Sequence, residues 1–436
     1  MLKSWRALTL WKRVFIGLFL GVIIGLGLHY GLGEKGEKIA QDWIYPFGTA
    51  FVNLIRMLVV PLIATTLVSG VIAMGDPKRL GSLGARTIGL YLFTTFFAVW
   101  LGLGIGTLVQ PGIGIENIAE GAQKGMASVA NSLENAGAAN AGIADKFISI
   151  IPRNPVQAFA EGNVLQIIFF SVLLGVGILL SGEKGKPLGD FFESAAEVVM
   201  KITMMVMNLA PYGVMALMAW VLGTNGLGIL SSIGKLAFAL YLACFLQIIL
   251  VYGGLIIKGI LRLPVKRYFY GIADALGVAY STASSNATLP VTISCAEHNL
   301  GVDKSIAGSV LPMGATINMD GTAIYLGLVA LFASQAFGIP MGFGDYVMVA
   351  VMATLMSIGA AGIPSAGLLL AASVLISIGV TDAQATMIIA FIFPFDRLLD
   401  MMRTVTNVSG DIAVACTVAK WEDQLDEEIF KSESVV

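Results

Sequence analysis

The chain has 436 residues, 57% of them hydrophobic and only 12% charged, with a formal net charge of −2 and a mean hydropathy of +0.84. That balance excludes a water-soluble globule and predicts an all-α polytopic membrane protein with no nucleic-acid partner.

Apolar runs of the length needed to span a bilayer, about 20 residues, fall at 14–31, 46–74, 86–110, 163–181, 192–223, 233–260, 306–336 and 384–418, which predicts eight crossings. The first run follows Lys3, Arg6, Lys12 and Arg13, lacks a small-residue cleavage site and has further spans behind it, so it reads as a true helix and not a removed signal. Lys78 and Arg79, Lys184 and Lys186, and Lys258, Arg262, Lys266 and Arg267 fall in every second loop, which puts the N-terminus and C-terminus in the cytoplasm. The opposite loops hold Lys35, Lys38, Lys124, Lys146 and Arg153, mostly beside acidic residues. In the third run, GLYLFTTFFAV sets Tyr91, Thr94 and Thr95 on one helix face, which on its own means interhelical hydrogen bonds. Residues 111–162 are polar and rich in Ala, Asn and Gly, too long for a tight connection, and read as an external loop. Cys244, Cys295 and Cys416 have no paired spacing and read as apolar packing residues, while His29 and His298 lie near span ends with no ligand-spaced partner.

Two short polar stretches interrupt the apolar sequence, YSTASSNATLPVTIS at 280–294 and SIGAAGIPSAG at 357–367. Neither has flanking length for two full spans, so each predicts a helical hairpin that enters the membrane and turns back. Each precedes a long helix bearing Asn and Asp, so the hairpin-plus-helix unit occurs twice, and such paired interruptions point to a transporter's binding site. The first of these helices carries NMDGT (318–322), whose Asn318, Asp320 and Thr322 are oxygen donors suited to a hard cation, with the helix expected to unwind at Gly321. The plainer reading is a Gly-kinked helix. The last run carries DRLLDMMRTVTNVSGD (396–411), where Asp396, Asp400, Arg403, Thr404, Asn407 and Asp411 share one face at about 100° per residue. Charge at that depth is costly and marks function by default; the plainer alternative is an internal salt-bridge ladder. Arg397 lies off the centre of this stripe and has no evident role. The end, KWEDQLDEEIFKSESVV, reads as a solvated acidic tail.

STASSNATLP, NMDGT, SIGAAGIPSAG and DRLLDMMRTVTNVSGD, in this order and spacing, resemble the glutamate transporter family, the dicarboxylate/amino acid:cation symporters, over about residues 10–420. The resemblance implies a homotrimer in a prokaryotic plasma membrane, with eight membrane helices and two re-entrant hairpins in inverted repeats, working as an elevator. Scaffold helices would lie in 1–85 and 111–230, the moving domain in 86–110 and 231–420, and a cytoplasmic tail in 421–436. It further implies that Arg403 binds a side-chain carboxylate, Asp400 the ammonium group, and Asn407, Thr322 and Ser285 the α-carboxylate, with Thr404, Ile363 and Gly367 alongside. Three sodium ions are expected, one at Asp411, Gly314, Asn318 and Asn407, a second at Thr316, Ser357, Ile358 and Ala360, and a third at Tyr91, Thr94, Thr95, Asn318 and Asp320.

Two departures stand out. The second arginine usual in carriers of acidic amino acids is replaced by Ala283 and Met401, and the position of a proton-carrying glutamate in animal members is Leu326. The implied activity is sodium-coupled uptake of L-aspartate or L-glutamate, with no enzymatic step and with membrane lipid as surroundings. Alternatives are a neutral amino acid, cystine or a C4-dicarboxylate as substrate, protons as the coupling ion, an anion-conducting channel, or an intramembrane aspartyl protease pairing Asp320 with Asp400 or Asp411.

Overall fold

A computed structural model describes residues 10–73, 84–113, 151–162, 164–358 and 365–432, and among these the regular structure is helical, with one isolated bridge between Val302 and Leu425. The chain opens with α1 (Leu10–Leu32), reaches α2 (Tyr45–Ala73) through a short helix and a π turn, and continues with α3 (Ala85–Val109), α4 (Val164–Leu180), α5 (Lys186–Met207) and α6 (Ala210–Asn225). α1 packs along α6, and its glycines explain how. Gly17, Gly21 and Gly25 repeat every fourth residue on one face; a Cβ on Gly17 would overlap the Pro211 carbonyl, and one on Gly21 would sit 2.6 Å from that of Met215. Small residues at this spacing bring helix backbones together where no hydrophobic force distinguishes helix from lipid. α4 and α5 both pack on α2.

The remaining helices gather around the last one. α7 (Ile229–Leu246) runs on as a π-helix over Gln247–Ile260, followed by α8 (Val265–Thr282), α9 (Ser285–Ser294), α10 (Lys304–Ile317), α11 (Asp320–Ala336), α12 (Phe343–Ile358), α13 (Ala366–Ser377) and α14 (Asp382–Trp421). α14 has 40 residues, about 60 Å at 1.5 Å per residue, and begins with a capping box in which Thr381 and Gln384 satisfy each other's backbone N–H. α8, α10, α11 and α13 all pack on it. The apolar core divides at its polar stripe: one cluster reaches α14 up to Leu399, and the other begins at Val405. The charged residues therefore lie between two apolar bodies, out of water.

Several expectations need correction. The run 192–223 is not one helix: α5 and α6 meet at a 48° bend across Asn208 and Leu209. Pro211, in the first turn of α6, has no N–H to extend the preceding helix, and Asn208 turns its side chain back to the Met204 carbonyl. The run 306–336 breaks at Asn318 and Met319, whereas Gly321 is helical. Among the described residues, four helical stretches are long and apolar enough to cross a membrane, Lys12–Leu32, Arg86–Val109, Leu230–Ile260 and Lys304–Ala336, and the bent pair makes a fifth. That test searches only the described residues and leaves the count of eight open: α2 enters it as the short stretch Val60–Ile72, Gln166–Leu180 is likewise short, and α14 carries Asp396, Arg397, Asp400 and Arg403 in its middle.

The stretch 111–162 is not loop throughout. Its described end holds a helix, Pro155–Glu161, with Asn154 capping two N–H groups and Pro155 in the first turn, a start signal legible in the sequence. Nor is the tail free. A short helix, Glu427–Lys431, buries Phe430 completely, and the Asp426 N–H donates to the Gly301 carbonyl at 2.8 Å. The His29 ring lies 3.2 Å from the Gly223 carbonyl, His298 turns back to the Ser294 carbonyl at 3.1 Å, and the three cysteines are buried and free.

Candidate functional site

The stripe on α14 is buried along its whole length, from Asp396 through Asp400, Arg403, Thr404 and Asn407 to Asp411. Arg403 is 0% exposed. One of its nitrogens, Nη2, lies 2.7 Å from Asp400 and 3.1 Å from Asp396, and its guanidinium carbon lies 4.1 Å from the centroid of the Tyr325 ring, a cation–π contact. Nε and Nη1 are buried and have no hydrogen-bond partner among the described residues. Gly367 leaves room for Nη1: a Cβ there would come within 2.8 Å of it and 2.9 Å of the Thr322 methyl. The salt-bridge ladder is thus present, yet it uses Nη2 alone and leaves two donors, Nε and Nη1, unspent among the described residues. Buried donors are normally satisfied, and these two are left over among the described residues.

Each neighbour is placed by its own element. Ser365, ahead of α13, adopts a left-handed φ of 64° and donates its N–H to Asp400 at 2.7 Å. Asn407 accepts from the Gly321 N–H at 2.8 Å. A Cβ on Gly321 would overlap the Arg403 carbonyl, so this glycine serves close approach of α11 to α14 and not unwinding. Thr404 donates to the Asp400 carbonyl of its own helix. Ser285 is buried at the start of α9, which packs on α14, while Ile363 lies outside the described residues.

The second group of oxygens lies where α3, α10 and α11 converge. Asn318 donates to Asp411 at 2.9 Å and accepts from Thr94 at 3.3 Å. A Cβ on Gly314 would stand 2.5 Å from Asp411 and 2.6 Å from the Tyr91 hydroxyl, so these three surround one point. The Tyr91 hydroxyl itself donates to the Val310 carbonyl. Asp320, also 0% exposed, accepts from Thr95 and Tyr252, each at 2.5 Å, and from Gln247 at 3.4 Å. Hydroxyl, amide and carboxylate oxygens without thiol or imidazole make a donor set for a hard cation. Of the remaining proposed ligands, Ser357 bonds back to its own helix, Thr316 lines a cavity, Ile358 ends α12, and Ala360 lies outside the described residues.

Gln247 and Tyr252 are additions that the sequence pattern hides. Five residues apart on an α-helix, at about 100° each, they would point roughly 140° apart. In the π-helix that they occupy the turn is wider, and both reach Asp320. A cavity of about 550 Å³ lies between α2, α5, α9 and α10, bordered by Thr66, Glu193, Lys201, Asn286 and Thr316.

Residues 10–421 match the profile of the sodium:dicarboxylate symporter family. The chain is 34% identical over 425 residues to the "Proton/sodium-glutamate symport protein" of Geobacillus stearothermophilus, covering 97% of each. It is 33% identical over 426 residues to the "Proton/glutamate-aspartate symporter" of Escherichia coli, covering 98% of this chain and 95% of that one. The "C4-dicarboxylate transport protein 3" of Bradyrhizobium diazoefficiens is 34% identical over 427 residues, 98% of this chain and 91% of its own.

Proposed function

Since this chain belongs to the sodium:dicarboxylate symporter family, and is a multi-pass membrane transporter and not an enzyme, we propose that it takes up L-aspartate or L-glutamate together with sodium. The observation that carries this reading is the half-used guanidinium of Arg403, buried beside Asp400. An acidic amino acid offers what both groups need: its side-chain carboxylate accepts a charge-assisted hydrogen bond from an open nitrogen of Arg403, and its ammonium takes Asp400. The pairs of Nη2 with the two aspartates stay in place, and two ion pairs with the ligand are added. Asn407, Thr322 and Ser285 receive the α-carboxylate, with Thr404 and Gly367 close by.

Buried charge supports sodium as the companion. Asp396, Asp400, Asp320 and Asp411 outnumber Arg397 and Arg403 by two, and an acidic amino acid adds one more negative charge. Three monovalent cations make the loaded body neutral, which lowers the penalty for carrying it across lipid. They would use the oxygens around Asp411, around Asp320, and beneath the second hairpin. Sites that share α11 and α14 couple the ions to the substrate, and the coupling is reciprocal. Leu326 is buried and apolar, so a proton has no carrier there. In this reading α1, α2 and α4 to α6 are the scaffold of a homotrimer with cytoplasmic termini, and α3 and α7 to α14 move as the elevator.

A second reading, a C4-dicarboxylate, draws on the Bradyrhizobium relative and on Asp400, which already has partners in Arg403 and Ser365 and does not require an ammonium. Competition separates the two. Labelled L-aspartate bound to the purified protein in sodium should be displaced by L-glutamate and not by succinate or serine; displacement by succinate alone means a dicarboxylate carrier.

A further inference from the structure

We propose that Arg397 is the second guanidinium of this site, a positioning residue that ties the tip of the first hairpin to α14 and so places Ser285 against the substrate. The inference rests on the acidic-substrate reading and adds a role for an arginine that the stripe leaves over. Arg397 Nη2 donates to the Thr282 carbonyl at 2.8 Å, across 115 residues of sequence. Thr282 is the last residue of α8, where carbonyls lack partners in the helix and the helix dipole is negative, so a guanidinium there is a favourable cap.

The turn that follows needs holding from outside. Ala283 sits at a φ of 50°, the left-handed region, which is unfavourable for a residue with a Cβ. Within the hairpin the Ala283 N–H donates to the Ala279 carbonyl at 2.9 Å and the Thr288 hydroxyl to the Ser284 carbonyl at 2.8 Å, while the Ser284 N–H reaches the Thr282 hydroxyl at 3.3 Å and Ser284 caps the Ala287 N–H at 3.2 Å. None of these bonds reaches α14; Arg397 supplies the charge-assisted one that does. Ser285 comes directly after this turn as the first residue of α9. The second hairpin is anchored in complementary fashion, by the Ser365 N–H on Asp400. Two residues three apart on α14, one donor and one acceptor, thus set both hairpins against the same helix.

Two readouts test this. The first uses Ala283→Cys, at a buried position, in a chain whose own cysteines are buried, and measures its alkylation without substrate. Arg397→Gln should raise that rate about tenfold, and Arg397→Lys, which keeps a donor in reach, should stay within about threefold. The second is aspartate binding in sodium. Loss of one charged hydrogen bond should weaken it about tenfold in Arg397→Gln, with Lys again restoring it and the sodium concentration for half-saturation unchanged. An unaltered alkylation rate in Arg397→Gln, or equal damage by Gln and Lys, overturns the tether. If Arg397→Gln does not fold, the Lys variant decides: the proposal requires it to keep both a protected tip and near-native affinity. Failure of the unmutated protein to bind aspartate would sink the substrate reading alone, because the alkylation arm needs no substrate.

Discussion

Replacing Arg403 by lysine separates what this residue does for the fold from what it does for the ligand. Removing the charge altogether, as in Arg403→Ala, leaves Asp396 and Asp400 buried without a counter-ion, which costs about 3–5 kcal/mol and confounds any binding assay. Lysine keeps the charge. It offers one nitrogen in place of a fork, however, and that nitrogen serves either the two aspartates or the ligand. The guanidinium serves both, with Nη2 on the aspartates and Nε and Nη1 open. At least one charged hydrogen bond to the substrate is therefore lost, about 1.5–3 kcal/mol, a factor of about ten to a hundred in affinity. Equilibrium binding of labelled aspartate, with thermal unfolding as the control, measures it. Arg403→Cys, read only in protein that the thermal control shows to be folded because it too removes the charge, should go further, abolishing aspartate binding and admitting neutral amino acids. Wild-type aspartate affinity in a folded Arg403→Lys protein would refute the assignment of Arg403 as the carboxylate-binding residue.

Three further outcomes are expected. Gly321→Ala forces a Cβ onto the Arg403 carbonyl and should destabilise the protein by about 1–3 kcal/mol, the usual penalty for overpacking, seen as a lower melting temperature; an unchanged one would mean that α11 and α14 are not in backbone contact. Asp320→Asn removes a charge from the cation-binding oxygens while keeping their shape, and should raise the sodium needed for half-maximal aspartate binding at least about tenfold. Lys420 and Lys431 hold the Glu427 carboxyl down to about 2, so its contribution to docking the tail is complete above the ordinary carboxylate range and fades as pH falls toward 2. These pairs are well exposed and contribute under about 1 kcal/mol; a shallow acid transition in Trp421 fluorescence, absent in Glu427→Gln, is the signature.

The parts of the site that follow helical periodicity were legible before any coordinates. At 100° per residue, Asp396 to Asp411 align, and α14 buries that stripe as one helix. The polar stretch at 280–294 marks the turn between α8 and α9, while residues 359–364 of the second stretch lie outside the described residues. What stayed hidden depends on departures from the regular helix. Gln247 and Tyr252 meet Asp320 through a π-helix, which no 3.6-residue wheel predicts. Glycine in NMDGT suggested flexibility at Gly321, yet its missing side chain is used for packing, and the chain breaks earlier at Asn318. The bend at Asn208 was masked by continuous hydrophobicity, with Pro211 as the overlooked signal. Composition alone also misread the tail, because one buried aromatic, Phe430, outweighs the surrounding acids.

The central claim is that buried acids and Arg403 together make a sodium-coupled site for an acidic amino acid. Uptake of labelled L-aspartate by the purified protein in liposomes, under a sodium gradient, a proton gradient or neither, tests it most directly. Accumulation driven by sodium and absent with protons alone is the predicted result. Accumulation driven by protons without sodium would contradict it, and would mean that the buried carboxylates carry the coupling charge as acids.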